Sequence, residues 1–425
     1  MVTASRTLPP AECDLIVVGG GIVGLAVARE AASRRPGGDI RVLEAEPEVG
    51  RHQTGHSSGV VHAGVYYEPG SLKARLCVEG ARALYSYCEE RGLPHRRSGK
   101  LIVATAGGEL ARLDGLERRG TANGVEGLRR VGAEEIGAIE PHVRGVAALH
   151  SPATGVVDFV AVARSLAADL AGAGGSVHTG VRALSARTGG RGVEVSHSLG
   201  TTSAREAVFC AGLWSDRLAV ACGAPTDPRI VPFRGAYLRV APGGGEPAPA
   251  AGLHDREAGG GPAESAVRGN VYPVPDPGLP FLGAHLTRTL AGEVLIGPSA
   301  LLAPARDAYR LVTLRPRDLA ETLTWPGTWR LARRHWRAGA REIRRALSRR
   351  SFLDEAARMV PVLRGVRVVA GPAGVRAQAL GRDGSLVDDF VIHRTEHALH
   401  VRNAPSPAAT SALALAKLIA DRLEQ

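Results

Sequence analysis

Apolar positions along the chain alternate between short continuous runs and longer stretches with helical spacing, a pattern that predicts an α/β protein. Residues 15–18 (LIVV) form a continuous apolar run, as in a parallel strand buried on both faces. Residues 22–32 follow as an Ala-rich helix, and residues 40–43 as a second apolar strand ending in Glu44. Between the first strand and the helix stand Gly19, Gly21 and Gly24 in the order G-x-G-x-x-G. The first glycine permits a tight turn, the second lets backbone approach a pyrophosphate, and the third lets helix pack on strand. Glu44 falls where a carboxylate accepts from a ribose hydroxyl. Glycines alone say little in a chain with 54 of them, but strand, glycines, helix, strand and acid in register predict a dinucleotide site.

The same pattern continues. Ser71 caps a helix whose buried stripe is Leu72, Leu76, Ala83, Leu84 and Tyr87. Residues 100–105 read as a strand and 109–119 as a helix, the first excursion into a second domain. Val177 and residues 181–184 read as an edge of the nucleotide domain, and residues 208–213 as a strand ending at Gly212. A further strand is predicted over 366–370. The terminal helix takes Ser406 as cap and Pro407 in its first turn, and buries Ala412, Leu415, Ala416, Ile419 and Leu423. Residues 241–268, rich in Gly, Pro and Ala, read as a mobile surface loop. The fold expected is therefore Rossmann-like α/β with an interleaved, mostly antiparallel substrate domain. The nucleotide domain is assigned to residues 1–95, 146–222 and 356–425, and the substrate domain to 96–145 and 223–355.

Composition changes this picture in one place. The formal charge is +11, and only Lys73, Lys100 and Lys417 among the 53 basic residues are lysines. The charge concentrates in residues 325–352, where nine arginines between Arg330 and Arg350 face one acid, Glu342. Trp329, Ala332, Trp336, Ala340, Ile343 and Leu347 fall on one face of a helix drawn through this stretch. Two readings stay open: a helix lying on an anionic bilayer, or a solvated basic helix packing its apolar stripe on its own domain. No helix-turn-helix or zinc pattern accompanies it, so no nucleic-acid partner is expected. The five cysteines contain no C-x-x-C pair, which argues against a structural metal and suits a reducing compartment. With no secretory signal and no apolar run of roughly 20 residues, the expected location is cytoplasmic, or peripheral on the inner face of a bacterial membrane.

Residues 56–77 (HSSGVVHAGVYYEPGSLKARLC) resemble a loop and helix of the L-2-hydroxyglutarate dehydrogenases and oxidases, in the FAD-dependent D-amino-acid-oxidase-like superfamily. The resemblance recurs in order at 151–159 (SPATGVVDF), 209–219 (FCAGLWSDRLA), 231–237 (VPFRGAY), 270–288 (NVYPVPDPGLPFLGAHLTR), 374–380 (GVRAQAL) and 400–413 (HVRNAPSPAATSAL). It implies FAD as cofactor, a small 2-hydroxy dicarboxylate as substrate, hydride transfer from C2 to flavin N5, and a quinone or oxygen as acceptor. A related flavin enzyme acting on another hydroxy acid or an amino acid is the alternative, and a nicotinamide enzyme would carry the same glycines.

Such a reaction needs a base near neutral pKa and cations for the carboxylates. His62 is the expected base, because histidine titrates nearest neutrality, with His285 as runner-up. Arg376, in GVRAQ, is expected to pair with the carboxylate next to C2, since a planar fork suits bidentate binding. Lys73, Arg234 and Tyr272 are candidates for the distal carboxylate. The cofactor is expected to contact Gly19, Gly21, Gly24, Glu44, Thr54, Ser57, Ser58, Gly59, Val181, Ala211, Gly212, Gly374, Val375, Ser406, Ala408, Ala409 and Thr410.

Overall fold

The computed structural model describes residues 8–190, 192–241, 266–276 and 282–425. The expected loop at 241–268 thus lies almost wholly outside the described residues.

Glu12–Val18 runs at the centre of an eight-stranded sheet, with Gly200–Phe209 and Ile40–Glu44 on either side, both parallel to it. Leu15, Ile16 and Val17 are fully buried, which is why their run is apolar without alternation. Ser176–Thr179 forms one edge, and the antiparallel strands Ala183–Gly189 and Gly192–His197 extend the other. Four helices share one core on this sheet: Ile22–Arg34, Leu72–Glu90, Phe159–Gly172 and Ala408–Leu423. Two start on the side-chain caps their sequences offer. Ser71 Oγ accepts from Ala74 N, and Asp158 accepts from Val160 N and Ala161 N, each cap contributing about 1 kcal/mol.

The second sheet has nine strands and is antiparallel throughout except where Asn270–Pro273 pairs with Lys100–Ala104. Its backbone is the long pair Arg229–Val240 and Val368–Leu380, paired from Arg229 with Leu380 to Val240 with Val368 with a register shift between Ala236 and Leu238. The predicted strand at 366–370 is therefore only the start of one that continues through GVRAQAL. Ala147–Ser151 and Val368–Leu380 both lie in this second sheet, although boundaries at 146 and 356 group them with the first. A buried ion cluster joins the two halves. Arg306, 1 % exposed, binds both oxygens of Asp216 and also Glu321, while Arg217 holds Glu321 and Asp318.

Residues 325–352 are not one helix. They divide into Pro326–Arg334, Trp336–Leu347 and the start of Arg349–Ala356, broken at His335 and Ser348. Neither does the apolar stripe pack inward: Trp329, Trp336 and Ile343 are 60, 63 and 55 % exposed. The Trp336–Leu347 helix docks instead through Ala338, through Glu342, which accepts from Ala300 N, and through Arg345, which pairs with Glu342 and Glu355. Trp325 is the tryptophan of this stretch that is buried, its indole N–H donating to Leu380 O. Among the described residues no helix is long and apolar enough to cross a membrane.

Candidate active site

A cavity of about 1040 Å³ is lined by residues of both sheets. One end is the first strand, turn and helix. Gly19 sits at φ +116°, and a Cβ there would run into the Cys210 carbonyl; a Cβ on Gly24 would meet the carbonyl oxygen of Gly19. Gly20, which the glycine spacing passes over, is as tightly held, with Glu44 Oε2 2.8 Å from where its Cβ would stand. The buried Glu44 carboxylate accepts from Gly20 N at 2.7 Å and from Glu46 N at 2.8 Å. The acid expected to meet a ribose thus also braces the glycine turn, and a carboxylate has about four lone-pair sites to share between the tasks. Burial raises its pKa, against the pull of those two N–H donors. Thr54 Oγ1 accepts from Ile22 N at 3.1 Å, closing one free N–H at the helix start. Val181 is placed on the wall by its N–H bond to Glu44 O, and Ala211 and Gly212 follow Cys210, whose N–H is held by Val18 O.

In the middle stretch Ser57 and Ser58 line the cavity, and Ser58 hydrogen-bonds Tyr237. Gly59 does not line it. At φ +75° it turns the chain so that its carbonyl accepts from Val157 N, and its role is conformational. Gly374 and Val375 are on the wall, and a Cβ on Gly374 would lie 2.6 Å from His56 O. The terminal helix begins at Ala408 with Pro407 as N-cap and no side-chain cap, so the expected Ser406 cap is not formed. Ser406, Ala408, Ala409 and Thr410 nevertheless line the cavity, and Thr410 Oγ1 accepts from His62 N at 3.1 Å.

The other end gathers His62, Tyr66, Tyr67, Lys73, Tyr237, Tyr272, His285 and Arg376. His62 is fixed by its backbone, the N–H on Thr410 and the carbonyl on the Cys77 thiol, while its Nδ1 has no partner among the described residues. The Tyr66 hydroxyl is likewise unpartnered. His285 stacks on Tyr272 at 4.0 Å, and its Nδ1 lies 3.0 Å from Gly283 O. A carbonyl only accepts, so Nδ1 carries the proton and Nε2 the lone pair. Burial lowers both imidazoles: His285 falls to about 3, and His62 falls well below its ordinary value with help from Lys100, His285, Lys73 and Arg376. Both rings are therefore neutral at pH 7.

Two of the expected distal-carboxylate residues have other commitments. Lys73 lines the cavity but pairs with Asp388 at 2.7 Å and lies over the Tyr67 ring. Arg234 does not line it at all. Gly235 and Tyr237 face the cavity, so strand alternation sends Arg234 the other way, toward Tyr309 O. Sequence reasoning missed Tyr66, Tyr67 and Tyr237, although they stand in the quoted blocks and four of the chain's seven tyrosines gather here. It also missed Lys100 and the pair His52 and His56, which clasp Tyr309.

The model of the FAD-dependent oxidoreductase family matches residues 14–422. The chain is 43 % identical to the mitochondrial L-2-hydroxyglutarate dehydrogenase of Nematostella vectensis, over 98 % of this chain and 91 % of that one. It is 40 % identical to the L-2-hydroxyglutarate dehydrogenase of Indibacter alkaliphilus, over 95 and 97 % of the two chains. In fold it resembles the FAD-bound L-α-glycerophosphate oxidase of Mycoplasma pneumoniae, with a TM-score of 0.72 at 22 % identity over 97 and 95 % of the chains. Glycine oxidase of Geobacillus kaustophilus gives 0.69 at 18 % identity over 98 and 95 %. The chain belongs to the L-2-hydroxyglutarate dehydrogenase family of FAD-dependent oxidoreductases.

Proposed function

We propose that this chain uses FAD to oxidise L-2-hydroxyglutarate to 2-oxoglutarate. The observation that carries the reading is one continuous cavity with a dinucleotide cradle at one end and two neutral imidazoles beside Arg376 at the other. The cradle fits the cofactor: Gly19 and Gly24 close the turn so tightly that no Cβ is admitted, and Gly21 and the start of the first helix face the same space. The glycine turn would hold the pyrophosphate, and Glu44 and Val181 the adenosine half. Ser57, Ser58, Gly374, Val375 and residues 406–410 would hold the remainder. FAD, when bound, takes up the hydrogen and electron pair that leave C2.

The chain's own residues do the rest. Arg376 pairs with the carboxylate beside C2 and fixes which face of that carbon is presented. His62 receives the hydroxyl proton at Nδ1, the atom that lacks a partner among the described residues. Burial and the neighbouring cations together depress its basicity, and a dicarboxylate that neutralises the cations recovers part of it. His285 offers Nε2 as an acceptor and orients the substrate from across the Tyr272 ring. Anaerobic mixing tests the reading: L-2-hydroxyglutarate is expected to bleach the yellow protein with formation of 2-oxoglutarate, and the D-enantiomer is not. Bleaching by an amino acid or a monocarboxylic hydroxy acid, with none by L-2-hydroxyglutarate, contradicts it.

The same reading places the protein on an anionic membrane with a quinone as acceptor. Its support is the outward-facing Trp329, Trp336 and Ile343 amid exposed arginines, aromatics suited to headgroup depth and guanidinium groups to phosphate. Flotation with anionic vesicles is expected to carry the wild type and to lose a Trp329→Ser, Trp336→Ser, Ile343→Ser variant. Equal partitioning of the two ends this part of the reading.

A further inference from the structure

Lys100 opens the strand Lys100–Ala104 in the middle of the second sheet and is 2 % exposed. Its neighbours in register are neutral: Ser151 on one side, Asn270 on the other. Its ammonium lies 4.3 Å from the centre of the Tyr272 ring and 5.2 Å from that of Tyr66, two rings that line the substrate end of the cavity. Among the described residues no carboxylate stands within ion-pair distance of it, whereas Lys73 has Asp388. The other titratable groups facing this corner are Cys77, His62, His285 and Arg376, and none of them brings an anion at neutral pH.

A buried ammonium without an anion is strongly disfavoured, and aromatic faces offset only part of that cost. The charge is therefore stabilised in full only when something negative enters the cavity. We propose that Lys100 is the specificity-determining residue for the second carboxylate of the substrate: it sets the positive potential behind the Tyr272 and Tyr66 rings that a dicarboxylate satisfies and a monocarboxylate does not. This rests on the dicarboxylate reading above. Lys100 acts across the wall through its field, in a region of low dielectric, and hydrogen-bonds no substrate atom. At an effective dielectric of about 20 a unit charge some 6–8 Å away changes binding by roughly 30- to 100-fold. Burial also brings Lys100 down to about 8, so the potential fades as the pH rises past that value.

The test compares L-2-hydroxyglutarate with L-2-hydroxyvalerate, which has a methyl group where the second carboxylate would be. Lys100→Met is expected to lower kcat/KM for the dicarboxylate about 30-fold or more, mainly through KM, and to leave the monocarboxylate within about threefold. Lys100→Arg keeps the charge and is expected to recover most of the preference. In the wild type KM for the dicarboxylate should climb above about pH 8 while that for the monocarboxylate stays level; this arm holds even if Lys100→Met cannot retain flavin. Equal losses on both substrates, or a discrimination that neither variant nor pH moves, overturns the proposal. A wild type reduced by neither substrate overturns the reading beneath it instead, so the two failures are distinguishable.

Discussion

At its nucleotide end the cavity is built around residues 14–44, one unbroken strand, turn, helix and strand, to which Thr54, Val181, Ala211 and Gly212 are added. At its substrate end the surroundings draw Lys73, Lys100, Tyr237, Tyr272, His285 and Arg376 from six separate elements. The first end works through backbone: N–H groups, glycines without Cβ atoms, and one acid that braces the turn. The second works through side-chain charge in a dry wall, where each group's state is set by its neighbours. A local device tolerates no steric change, whereas a dispersed one answers in graded steps.

That contrast can be broken or sharpened by substitution, and the largest effect is expected at the local end. Gly24→Val forces a side chain into the Gly19 carbonyl, so the protein is expected to purify without flavin absorbance. A yellow, active Gly24→Val would sever the link between the glycine turn and the cofactor. Next come the groups at the reacting centre. His62→Asn should lower kcat about 10²- to 10⁴-fold while flavin stays bound. If His285→Asn has that effect and His62→Asn does not, the two histidines exchange roles. Between the halves, Arg306→Met strands Asp216 in the interior and is expected to cost about 3–5 kcal/mol, read as a large fall in Tm. The smallest effect belongs to Arg234→Ala, which points away from the cavity; kcat/KM should stay within about threefold, in contrast to Arg376→Met.

The pH profile sharpens the comparison from another side. Burial and the nearby cations hold His62 well below the ordinary histidine value, so the base stays unprotonated into mild acid. The acid limb of kcat/KM for the free enzyme is therefore expected below the ordinary histidine value. Lys100→Met, by removing one of those cations, should move the limb upward. An acid limb at or above about pH 6.5 in the wild type contradicts the cationic environment assigned to His62.

The uneven legibility of the sequence has the same physical origin. The dinucleotide end is encoded in local spacing, which survives in a linear reading, and so do the strands of the parallel sheet, whose burial on both faces leaves a continuous apolar run. In the second sheet the long strands Arg229–Val240 and Val368–Leu380 are only partly buried and show no continuous apolar run. There the predicted strand at 366–370 covers only the start of Val368–Leu380, and Arg234 stands in a block that lines the cavity while strand parity turns its own side chain away. Ser406 failed as a cap because a serine before a proline is only a local preference, and the chain enters this helix through Pro407 instead. Lys100 carries no signal beyond the scarcity of lysine; its meaning comes from two tyrosine rings and the lack of a nearby carboxylate among the described residues, none of it visible along the chain. The stripe of Trp329, Trp336 and Ile343 is legible as amphipathic, but which side faces out is set by the contacts of Glu342 and Arg345 with the domain.

The most direct measurement is a crystal structure of the protein with FAD and 2-oxoglutarate bound. The pyrophosphate is expected on Gly19–Gly24, with the ring system reaching His62, one carboxylate of 2-oxoglutarate on Arg376 and the other turned toward the Tyr272 and Tyr66 wall. A ligand bound away from Arg376, or a flavin ring that leaves His62 out of reach of the oxidised carbon, would contradict the account.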